Sequence, residues 1–128
     1  TYGDGLADID LDDLIKTHKQ NKNKATITAV KAPGRFGSLT IKENKVLSFK
    51  EKPNDWINGG FFVLDPSVID LIDDYSISWE EEPLNKLSND RNLTVFKHDG
   101  FWHPMDTLRD FNYLNKLWDN GSAPWKIW

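Results

Sequence analysis

Apolar positions along the chain switch between helical and strand periods. Between residues 10 and 19, Leu11, Leu14, Ile15 and His18 recur at helical spacing. Asp10, Asp12 and Asp13 suit the positive end of a helix dipole, so a helix is expected here, with His18 on its surface or at the core edge. The polar residues 20–24 then turn the chain into residues 25–30, where small or apolar residues alternate with β-branched ones as in a buried strand. Residues 38–41 and 46–49 flank Lys42-Glu43-Asn44-Lys45 and predict a hairpin. Residues 56–64 predict a strand stopped by Asp65-Pro66, followed by a short helix over residues 67–73. A further helix is expected to open at Ser78-Trp79-Glu80-Glu81-Glu82, its acids in the first turn as cap electrostatics, not as a metal cluster. A strand over residues 93–96 and a helix over residues 108–118 complete the pattern, with Asp106-Thr107 placed to cap that last helix.

Composition narrows the classes. At 128 residues the chain makes one domain with a real core. A net charge of −4 with no basic face argues against a nucleic-acid partner. The absence of cysteine excludes disulfides, thiolate metal sites and a Cys nucleophile. No apolar run approaches the ~20 residues that span a bilayer, and no segment reads as a secretory signal, so no membrane partner and a cytoplasmic location are expected. Six tryptophans are many for this length, and rings beside polar residues can wall a pocket, although core packing is their commoner use.

Candidate chemistry collects at junctions between the expected elements. Phe49-Lys50-Glu51-Lys52-Pro53 leaves the hairpin, crosses a turn and enters Ile57-Asn58-Gly59-Gly60-Phe61-Phe62-Val63. Pro53 should end the first strand, and the glycine pair admits a backbone or ligand where a side chain would block it. An ordinary loop with solvated charges explains the same residues locally. Thr1-Tyr2-Gly3-Asp4-Gly5 reads as a strand-to-helix turn with something missing upstream. Pro33-Gly34-Arg35-Phe36-Gly37 is either a surface turn or a place for a guanidinium beside a phosphate or sugar. Asp4, Lys52 and Asp106 all stand at expected strand-to-loop exits, which in an open α/β sheet can converge on the ligand edge. Two carboxylates and a lysine there suit Mg²⁺ and a phosphate.

These stretches, together with Phe101-Trp102-His103-Pro104-Met105-Asp106-Thr107, resemble the sugar-1-phosphate nucleotidyltransferases, and most of all their glucose-1-phosphate cytidylyltransferase branch. The resemblance covers essentially the whole chain in the family's order. It implies an α/β fold with a Rossmann-like mixed sheet, truncated at the N-terminus, and a reaction of CTP with glucose-1-phosphate that yields CDP-glucose and pyrophosphate. It implies Asp4 and Asp106 as Mg²⁺ ligands, Lys52 on the sugar phosphate, Glu51 and Asn58 on sugar hydroxyls, the Gly37 backbone in the same pocket, and Arg35 as an additional contact. Two departures stand out. The chain holds no Gly-rich phosphate loop, and His103 occupies the place of an expected Gln. The chain therefore reads as the C-terminal, sugar-phosphate-binding part of such an enzyme, inactive without a nucleotide-binding half. The alternative is a non-catalytic sugar-phosphate-binding or oligomerisation module of the same descent. In either case uncovered sheet edges predict a homo-oligomer.

Overall fold

A computed structural model of the chain describes residues 1–31, 38–51, 55–72 and 76–128. The short strand β1 (Gly5–Ala7) leads into helix α1 (Leu11–Asn21), then strands β2 (Ala25–Lys31), β3 (Ser38–Lys42), β4 (Lys45–Lys50) and β5 (Trp56–Leu64). A 3₁₀ helix (Pro66–Leu71), helix α2 (Glu82–Asn89), strands β6 (Leu93–His98) and β7 (Trp102–Pro104) and helix α3 (Leu108–Asp119) follow. The fold is mixed α/β. No helix among the described residues is long and apolar enough to cross a membrane.

Its centre is β2, which pairs antiparallel with β5 on one side and parallel with β6 on the other. A central strand is covered on both faces, which is why small and β-branched residues run through it without a solvent-facing polar set. Ala25, Thr26 and Thr28 are wholly buried. On one face α1 buries Leu14 and sets His18 Nδ1 3.0 Å from Thr26 Oγ1, so His18 is a core-edge residue. On the other, Ala25 meets Val68 of the 3₁₀ helix and Leu87 of α2, with Leu71, Trp79 and Leu93 around them. Two side-chain caps start these helices: Asp10 accepts from the Asp13 N–H at 3.0 Å, and Asp65 accepts from the Ser67 N–H at 2.9 Å.

Two smaller pairs flank this sheet. β3 and β4 form the expected hairpin, and Leu39, Ile41, Val46, Leu47 and Phe49 on it are all more than half exposed. β1 and β7 pair antiparallel with Gly5 opposite Pro104.

Three local expectations are corrected. Asp4 does not lead straight into a helix: β1 intervenes and pairs with a strand far along the chain, a contact no local pattern encodes. The helix expected from Ser78 begins at Glu82, leaving Glu80 and Glu81 in a turn whose Glu81 N–H bonds to the Ser78 carbonyl at 3.2 Å. Pro83 sets that boundary, since proline is tolerated in a helix's first turn and breaks its interior. The short helix after Asp65-Pro66 is a 3₁₀ turn and stops at Leu71.

Candidate functional site

The site is built on an irregularity in β5. The β2–β5 register passes from Ile27 opposite Phe62 to Ala29 opposite Asn58, so Gly59, Gly60 and Phe61 bulge out against Thr28 alone. Both glycines are required there. A Cβ on Gly59 would lie 2.7 Å from Val30 Cγ1, and one on Gly60, at φ +79°, would lie 2.7 Å from the Tyr2 ring. The bulge seats the N-terminal segment: the Tyr2 N–H donates to the Gly60 carbonyl at 2.9 Å, and Trp102 Nε1 of β7 donates to the Gly59 carbonyl at 2.8 Å. Both strands of the β1–β7 pair are thereby fixed to one point on the sheet.

Asn58 completes the junction. Its Oδ1 accepts from the Gly60 N–H and its Nδ2 donates to the Tyr2 hydroxyl, each at 2.9 Å. That hydroxyl also faces Glu80. Burial, then the bond to Glu80, push the Tyr2 pKa up to about 12, with Asn58 opposing. The Glu80 carboxyl is held below its ordinary value by the Tyr2 hydroxyl first and by Ser78 second. Tyr2, Phe62 and Trp79 pack ring to ring at 5.6 Å and wall an apolar cavity of about 300 Å³. Here the aromatic rings serve both uses the composition allowed.

Asp4 precedes β1 and Asp106 follows β7. Because the two strands are antiparallel, the start of one lies beside the end of the other, and the Met105 N–H donates to the Asp4 carbonyl at 2.7 Å. The two carboxylates thus emerge at the same end of the pair, both exposed. Mg²⁺ typically takes one or two carboxylates and completes its shell with water and phosphate oxygens, so two exposed carboxylates at one end of a strand pair are donors of the type it uses. No group of three or more His, Cys, Asp or Glu that could hold a metal occurs among the described residues. Glu51 lies exposed at the exit of β4. Lys52, Arg35 and Gly37 lie outside the described residues.

Asp110, which the sequence pattern did not single out, is 3% exposed in the first turn of α3. Its Oδ1 lies 3.0 Å from His103 Nε2, and its Oδ2 accepts from the Thr107 N–H at 3.0 Å and the Thr107 hydroxyl at 2.7 Å. Thr107 in turn caps α3. The one available signal was Thr107-Leu108-Arg109-Asp110, a capping box with Asp in the usual Glu place.

Residues 1–113 match the nucleotidyl transferase family. Over its full length the chain is 56% identical to the glucose-1-phosphate cytidylyltransferase of Salmonella typhimurium, of which it covers 51%. It is 34% identical to a mannose-1-phosphate guanyltransferase of Yarrowia lipolytica, over 84% of this chain and 32% of that one. The chain therefore spans about half the length of the cytidylyltransferase it matches. Among solved structures, HddC from Yersinia pseudotuberculosis superposes with a TM-score of 0.63 at 21% identity, covering 91% of this chain and 52% of that one. At that identity the likeness speaks for the fold.

Proposed function

The chain belongs to the nucleotidyl transferase family, and from that premise we propose that it forms the sugar-phosphate side of a site joining glucose-1-phosphate to CTP. The products are CDP-glucose and pyrophosphate. The observation that carries the reading is the antiparallel β1–β7 register, which sets Asp4 and Asp106 at one end of the pair. The cytidylyl assignment draws on the 56% identity to a cytidylyltransferase, against 34% to a guanyltransferase.

In this reading Asp4 and Asp106 hold Mg²⁺, which when bound neutralises charge on the phosphates. Lys52 binds the sugar phosphate and aligns its oxygen for attack on the α-phosphorus of CTP, with Arg35 as an additional contact. Such positioning and charge neutralisation are most of what phosphoryl and nucleotidyl transfer ask of a protein. Glu51, Asn58 and the Gly37 backbone hold the sugar. Asn58 is partly committed already: with Gly60 on Oδ1 and Tyr2 on Nδ2, it keeps one N–H and one lone pair for a hydroxyl. The chain binds glucose-1-phosphate, and it self-associates through exposed apolar residues such as those of β3 and β4.

A chimera tests the assignment. This chain replaces the matching half of the Salmonella cytidylyltransferase, and pyrophosphate release is followed with CTP, GTP and UTP. Release with CTP and glucose-1-phosphate, abolished by Asp106→Asn, is expected. A folded chimera that releases no pyrophosphate from CTP and glucose-1-phosphate, or that keeps its rate in Asp106→Asn, contradicts the proposal.

A further inference from the structure

One buried carboxylate closes the loop that carries Asp106. Asp110 takes His103 on one oxygen and both donors of Thr107 on the other, so the residues just before and just after Pro104-Met105-Asp106 are tied to the same side chain. The His103 ring is itself held, its centroid 5.0 Å from that of Tyr113 and 6.4 Å from that of Phe101. In the middle of the loop the Met105 N–H is spent on the Asp4 carbonyl. The backbone on both sides of Asp106 is thus fixed, while the Asp106 side chain is exposed.

We propose that Asp110 is a positioning residue, acting through His103 and Thr107 to hold the Asp106 carboxylate where it meets a metal ion beside Asp4. The inference rests on the magnesium reading above. A carboxylate that needed only to cap α3 would be served by Thr107 alone. The added His103 contact spans the loop, and it gives His103 a task that a Gln side-chain N–H can also perform. Outer groups of this kind orient metal ligands, and their loss typically costs about 10–100-fold in metal affinity.

The test uses Mn²⁺ as the probe, its free form followed by electron paramagnetic resonance, on the wild-type chain and on His103→Leu, His103→Gln, Asp110→Asn and Asp106→Asn. Exchange of the Thr107 amide hydrogen is measured in parallel, as a readout that needs no metal. Wild type and His103→Gln should bind Mn²⁺ alike, and His103→Leu and Asp110→Asn should bind it about tenfold more weakly. In those two weaker binders the Thr107 amide should exchange faster. Should His103→Leu fail to fold, Thr107→Val, which removes the hydroxyl that donates to Asp110 Oδ2 and accepts from the Asp110 N–H, takes its place. If Asp106→Asn loses the ion while His103→Leu and Asp110→Asn keep wild-type affinity, the positioning role is overturned and the metal reading stands. If Asp106→Asn binds as wild type does, the metal reading fails and the positioning role falls with it.

Discussion

At the scale of single residues, the glycine pair and the asparagine before it explain how a polar site sits on an edge strand. Gly59-Gly60 was legible in the sequence as a place of close approach, but its partner was not. Nothing local says that Tyr2, 58 positions earlier than Gly60, lies against it. Gly60→Ala should destabilise the fold by about 1–3 kcal/mol in chemical denaturation, because it adds strain at positive φ and a Cβ against the Tyr2 ring. Wild-type stability in that variant would mean that the bulge relaxes freely. The Tyr2–Glu80 contact gives a pH signature. Glu80 titrates below its ordinary value of 4.5, so its contribution to stability is present above that value and lost as pH falls through the lower folded pKa. The contribution is small, because the group is exposed. Tyr2→Phe should raise the Glu80 midpoint toward 4.5 in a carboxyl NMR titration, and an unmoved midpoint would assign the shift to Ser78.

At the scale of elements, segments with strong local patterns were readable and pairings were not. The spacing of Leu11, Leu14 and Ile15 behind a run of aspartates gave α1 nearly to its ends, and residues 56–64 are β5 as expected. β1 escaped notice because a three-residue strand has no periodicity to show. The pairing that brings Asp4 to Asp106 joins segments about a hundred residues apart, so its antiparallel sense could not be read from either. The candidate residues could therefore be picked from the sequence, and the pairing that joins two of them could not. The cap on α3 is testable by itself. Thr107→Ala removes the hydroxyl that accepts the Asp110 N–H and should cost about 1–2 kcal/mol of stability. A loss within experimental error would show that Asp110 secures the helix start without the hydroxyl.

At the scale of the whole molecule, a three-stranded sheet with β2 at its centre carries a hairpin whose apolar residues lie in solvent. Such ribbons are marginal alone and gain by association. Light scattering should give a mass above the 14.8 kDa of one chain, and Leu47→Lys with Phe49→Lys should lower it. The central claim is that this fold holds the sugar-phosphate side of a nucleotidyltransferase site, and calorimetric titration with glucose-1-phosphate, with and without Mg²⁺, tests it most directly. Binding strengthened by Mg²⁺ and lost in Lys52→Ala is the predicted result. A folded chain that takes up no glucose-1-phosphate at millimolar concentration, or that binds it equally well as Lys52→Ala, would contradict it.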